Sequence, residues 1–262
     1  MDVGGWGAVR RCDRLVIVGA LVGTTTLAWV YLIKESVGMT TSSMEMVRLQ
    51  SWDMADLTLT FLMWSIMMIG MMIPSAAPTT MVYAGIARKA ERQGTVVAPT
   101  AVFVSGYLTL WILFSALATL AQWGLDRAAL LSPMMVTTSP VIGAVLFIAA
   151  GVYQASPIKL ACLEHCRSPA HFLSGHWRPG IAGALRMGLE HGLFCVGCCW
   201  VLMGLLFVGG VMNLLWIAAI AIFVFSEKII PVRDAKIAGR LTGAVMALVG
   251  LGLLASWTIT GG

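Results

Sequence analysis

Seven stretches of this chain are apolar for long enough to cross a bilayer as helices, and that feature leaves little freedom of fold. A spanning helix needs about 20 predominantly apolar residues, and a backbone in lipid must satisfy its own hydrogen bonds. The runs are Leu15–Ile33, Leu57–Ala87, Thr95–Trp123, Thr137–Ala155, Ile181–Val208, Val211–Ile230 and Gly239–Ile259. Only 11% of the 262 residues are charged, against roughly 25% in a soluble domain. The expectation is an all-α polytopic transmembrane helix bundle of about seven spans, a single domain over residues 1–262 with the lipid bilayer around it.

Two runs need comment. The first follows Arg10, Arg11 and Arg14, as the apolar part of a signal peptide would. It is too long for one, and Lys34-Glu35 closes it without a small-residue cleavage site, so it reads as a retained span. The second is longer than a bilayer requires and contains Pro74 and Pro78. A kink or partial unwinding near "IPSAAP" is expected there.

Charge sets the orientation. With the N-terminus inside, the inner segments hold Arg10, Arg11, Arg14, Arg88, Lys89, Arg92, Lys159, Arg167, Arg178, Lys228, Arg233, Lys236 and Arg240. The outer segments hold only Lys34, Arg48 and Arg127, and Arg186 falls inside the fifth run. Basic residues gather on the cytoplasmic side of membrane proteins, so the N-terminus is expected in the cytoplasm. The excess of Lys+Arg over Asp+Glu, 17 to 12, is then topological, and no nucleic-acid partner is expected. Trp29, Trp52, Trp123, Trp177 and Trp257 fall near run ends, as interface anchors do. The longest loops are Lys34–Ala55 outside and Ser156–Gly180 inside. Small-residue pairs such as Gly19/Gly23, Gly188/Gly192 and Gly239/Gly243 permit close helix packing.

The fifth run carries "EHGLFCVGCCW" at residues 190–200. At 100° per residue, His191, Cys195 and Cys198 share one face, Met187 extends the stripe, and Cys199 lies at its edge. At 1.5 Å per residue the thiols sit about 20 Å from the cytoplasmic end, near mid-bilayer. Thiolates, imidazole and thioethers are soft or borderline ligands that suit Cu(I), then zinc or iron, and serve magnesium or calcium poorly. A buried cysteine is also a small apolar residue that packs well, and two such thiols could form a redox disulfide. Arg186 and Glu190 share this run at i, i+4. They read as an ion pair, joined by Glu227 of the sixth run, or as a site where Glu190 acts beside His191.

Methionines mark the second run. Met63, Met67 and Met71 recur at i, i+4, i+8, with Met68 and Met72 alongside. Methionine fills irregular cores, yet 17 occur here. The preceding outer loop adds Met39, Met44, Met46 and Met54. Thioethers bind Cu(I) without losing a proton, so a path from Met44 and Met46 through the Met63/Met67/Met71 stripe is conceivable for a soft ion. Asp53 and Asp56 fit a helix start. The inner loop supplies Cys162, His165, Cys166, His171 and His176, of which Cys162, His165 and Cys166 form a candidate receiving site. Its C-x-x-x-C spacing lacks the second half of a zinc motif.

The segments "FLMWSIMMIGMMIPSAAP", "GVYQASPIKLACLEHCRSP", "GALRMGLEHGLFCVGCCWVLMGLLFVGGVMNLLW" and "SEKIIP" together resemble a bacterial family of predicted metal-binding integral membrane proteins of unknown function. The resemblance covers most of the chain. It implies a multi-pass protein of the bacterial cytoplasmic membrane that binds a metal.

The function expected is soft-metal binding, with Cu(I) the best-suited ion, for transport or for delivery to a metal-accepting partner. The ion would be held by His191, Cys195, Cys198 and Cys199. Two alternatives stand beside it: a subunit or accessory of a larger membrane metalloenzyme, such as a copper-dependent oxygenase, and a membrane thiol–disulfide protein. The chain has no Walker loop, dinucleotide fingerprint or serine nucleophile elbow.

Overall fold

The computed structural model describes residues 11–42, 52–131, 136–137, 139–229 and 232–260. Those residues form an all-helical architecture. In chain order the long helices are α1 (Arg11–Ser42), α2 (Met54–Arg92) and α3 (Thr100–Arg127). Then come α4 (Pro140–Gln154), α5 (Pro157–Arg167), α6 (Pro169–Gly175), α7 (Gly180–Gly204), α8 (Leu206–Gly209), α9 (Leu214–Ile229) and α10 (Val232–Thr260).

Each of the seven apolar runs carries a helix, but they differ in reach. Five helical segments are long and apolar enough to cross a membrane: Asp13–Gly38, Met54–Arg92, Thr100–Arg127, Gly180–Gly209 and Lys236–Ile259. Helix α9 has only 16 residues. Helix α4 has 15 and qualifies only together with α5, from which it is bent by 64°.

The bend corrects the expectation of an inner loop at Ser156–Gly180. Ser156 takes an extended backbone, as a residue before proline prefers, and its hydroxyl accepts the Lys159 amide at 3.1 Å. Pro157 then occupies the first turn, where its missing N–H costs nothing. The same Ser-Pro pair starts α4 at Ser139-Pro140 and α6 at Ser168-Pro169. The segment read as a loop is therefore two helices, and α5 lies against α7.

A second correction concerns α2. It stays helical through Pro74 and Pro78, so of the kink or partial unwinding expected at "IPSAAP" the unwinding does not occur. Its start is fixed by a capping box between Asp53 and Asp56, which accounts for both carboxylates without a cation.

Helix α3 packs on α7, α4 on α10, and α2 on both α1 and α3. A side chain at Gly106 or Gly188 would strike the backbone of the facing helix, so these two glycines let α3 and α7 touch directly. Gly19 and Gly23 have nothing near them and mark no helix contact. The outward faces stay apolar: Leu15, Leu27, Leu215, Leu248 and Ile259 are more than half exposed.

Candidate metal site

Helix α7 places its sulfur and imidazole groups inward. Met187, His191, Cys195, Cys198 and Cys199 are all buried. The spacing that put them on one face thus matches the face that meets the core. Across from them α2 buries Met63, Met67, Met68, Met71 and Met72, and the three thiols and five thioethers belong to one continuous core cluster.

Cys195 is where the elements meet. Its thiol lies 3.1 Å from the Tyr107 hydroxyl of α3. The Lys228 ammonium of α9 donates to it at 3.0 Å and to Ser75 Oγ of α2 at 2.8 Å. Cys166 of α5 is buried in the same core cluster as Cys195 and Cys198. Cys198 and Cys199 donate to the Cys195 carbonyl at 3.1 and 2.9 Å. Helices α3 and α9 therefore meet α7 at one sulfur, with α2 one hydrogen bond further on through Ser75.

The three residues of the candidate receiving site face different neighbours. Cys166 joins the α7 thiols, because α5 is a helix packed on α7. Cys162 lies over Gly197, where a Cβ would stand 2.9 Å from its sulfur. Tyr153 donates to the Gly197 carbonyl and holds that contact closed. His165 goes elsewhere: its ring stacks on Phe194 with centroids 4.0 Å apart, and Nδ1 lies 2.9 Å from the Ala161 carbonyl. With Glu164, His171 and His176 it lines a cavity of about 230 Å³.

His191 is the anomaly. It is 2% exposed, and neither ring nitrogen has a hydrogen-bond partner. Its ring lies among Tyr107, Phe103 and Phe172 at centroid distances of 5.3, 6.0 and 5.9 Å. An unsatisfied buried polar group costs about 1–3 kcal/mol. A donor that binds a soft ion, one helical turn before Cys195, is a use that offsets such a cost.

The charged residues separate from this site. Glu190 pairs with Arg186 at 3.2 Å and with Arg178 at 3.4 Å. Glu227, expected to join them, instead binds Lys159 at 2.7 Å. Gln154 also donates to the Glu227 carboxylate, and Arg167 to the Glu227 backbone carbonyl.

As arranged, no three or more His, Cys, Asp or Glu side chains among the described residues are set to hold one ion. The donor set fits a low-coordinate soft ion better than a tetrahedral one. Two thiols from facing helices suit Cu(I), and neighbouring thioethers reinforce the preference. Met44 and Met46 lie outside the described residues.

Sequence reasoning missed Lys228, Tyr107 and Ser75. Lys228 was counted as an interface charge, and no local spacing links the other two to Cys195. Cys166 could have been placed by the Ser-Pro helix start, which turns "IKLACLEHCR" into a helix with Cys162 and Cys166 one turn apart.

A family model described as PpoB2, copper chaperone, matches residues 61–253. The match takes in well over half of the chain, which belongs to this family, and its function is copper-related. No curated protein and no solved structure matches significantly.

Proposed function

From its membership of the copper-chaperone family, we propose that this chain is a multi-pass protein of the bacterial cytoplasmic membrane, N-terminus inside, that holds Cu(I) and delivers it to a copper-accepting protein or enzyme subunit. The apolar outward faces and the five long apolar helices support the membrane reading. One observation carries the site: Cys166 of α5 is buried with Cys195, Cys198 and Cys199 of α7 and the α2 methionines in one sulfur-rich core cluster. Cys199 and the unpartnered His191 are further soft or borderline donors on the same buried face of α7. The Met63/Met67/Met71 stripe supplies a neutral approach along α2, and Met44 and Met46, which precede that helix in the sequence, are proposed to collect the ion. Seven spans remain the proposed count, with α9 and the bent α4–α5 pair crossing as short or broken segments.

The role of each group follows from its chemistry. Thiolates hold the ion, thioethers exchange it readily, and the buried imidazole offers a neutral nitrogen within a turn of the sulfurs. A carrier must also release its cargo. Cys198 and Cys199 each hydrogen-bond a backbone carbonyl, an alternative partner that the thiols take up when the ion leaves.

The test is copper content of protein purified anaerobically from copper-supplemented cells, beside Cys195→Ser/Cys198→Ser/Cys199→Ser. About one copper per chain, lost in the variant, is expected of a thiol-held soft ion. The same thiol contacts favour a thiol–disulfide protein as the second reading. It takes over if neither protein holds copper and the free-thiol count changes with redox poise.

A further inference from the structure

We infer that Lys228 matches the charge of the thiol site and makes it selective for a monovalent over a divalent soft ion. The inference rests on the proposed Cu(I) site and adds a residue that sets its specificity.

The lysine is placed by its neighbours. Its ammonium reaches Cys195 Sγ at 3.0 Å and Ser75 Oγ at 2.8 Å. Ser75 donates its own proton to the Met72 carbonyl at 2.8 Å, so towards Lys228 it is an acceptor and carries no charge. The adjacent carboxylate, Glu227, points to another side of α9 and is bound to Lys159. Among the described residues no carboxylate pairs with Lys228. The second cation nearby, Arg167, directs Nε and Nη2 at the Glu227 carbonyl. The group beside Lys228 that most readily carries a negative charge is therefore the Cys195 sulfur, since the Tyr107 hydroxyl next to it is a weaker acid than a thiol.

Charge balance follows. Two thiolates and one Cu(I) leave a net charge of minus one, and the ammonium brings the assembly to zero. Two thiolates and a divalent ion are already neutral, so the ammonium leaves plus one. An uncompensated charge in an apolar interior is the costly state. With Lys228 present the monovalent assembly is the neutral one; without it the divalent assembly is. Removing the lysine should shift the preference towards the divalent ion and not merely weaken binding.

The experiment measures Cu(I) and Cd(II) affinities by chelator competition for the full chain in detergent, reading their ratio. Lys228→Met removes charge and hydrogen bonds. Lys228→Gln keeps a donor for Ser75 and removes only the charge, which covers the case in which the methionine variant fails to fold. Lys228→Arg keeps the charge. The Cu(I):Cd(II) affinity ratio should fall by at least about tenfold in both neutral variants and stay near wild type in the arginine variant, since one charge contact at an effective dielectric near 20 exceeds that effect. A ratio unchanged in a folded neutral variant overturns the inference while leaving the thiol site standing. A fall in both affinities alike also overturns it, because a merely structural lysine would do that. Wild-type protein that binds neither ion overturns the Cu(I) reading beneath it, and the inference with it.

Discussion

Two lysines reach into the interior of this protein and meet different partners. Lys159, 1% exposed, meets the Glu227 carboxylate at 2.7 Å with Gln154 beside it. Lys228, the next residue after that glutamate, meets a cysteine sulfur and a hydroxyl. The first arrangement is electrically complete within the protein and ties α5 to α9. The second has a thiol, the proposed metal ligand, in the place of a carboxylate. One lysine serves the fold; the other sits beside the proposed site.

The difference predicts separable phenotypes. Lys159→Met leaves Glu227 buried and unpaired, which costs about 3–5 kcal/mol. Denaturant unfolding in detergent should show that loss, and the folded fraction should keep its copper. Adding Glu227→Leu should recover most of the stability, because replacing both partners of a buried pair by apolar groups is often near neutral. A single variant that loses copper without losing stability would erase the distinction between the two lysines.

His191 extends the comparison to a buried base with no partner at all. His191→Leu removes an unsatisfied imidazole, so stability should hold or rise by about 1 kcal/mol, while copper retention falls. Thermal unfolding and metal analysis on one preparation read both. Destabilisation beyond that size would mean that His191 is a packing residue.

The smallest effect belongs to the exposed end of α7. The Arg186 side chain is 65% exposed, and surface ion pairs contribute about 0–1 kcal/mol. Arg178 also serves Glu190. Arg186→Ala should therefore leave unfolding and copper content near wild type. A large copper loss would return Glu190 and Arg186 to the site.

What the sequence made legible was what local period encodes. The α7 stripe follows from i, i+4, i+7 spacing, and the α2 methionine stripe from i, i+4, i+8. The apolar runs announced helices, although α4 and α9 are shorter than a straight span needs. Contacts between elements were not legible. Nothing in "SEKIIP" tells that Glu227 faces Lys159 while Lys228 faces Cys195, because adjacent helical residues diverge by about 100° into different neighbours. The positive-inside count also concealed Lys228, since a tally of loop charges treats every lysine as a surface group. Cys166 was misplaced for a third reason: a Ser-Pro helix start was read as loop composition.

The most direct test of the central claim is the ligand shell of the bound ion. Copper K-edge absorption on anaerobically purified protein, with and without Cys166→Ser and Cys195→Ser, reads the donors themselves. The account predicts a Cu(I) edge and a sulfur-dominated shell that loses sulfur in each variant. A shell of nitrogen and oxygen alone, unchanged by removing Cys166 or Cys195, would contradict it.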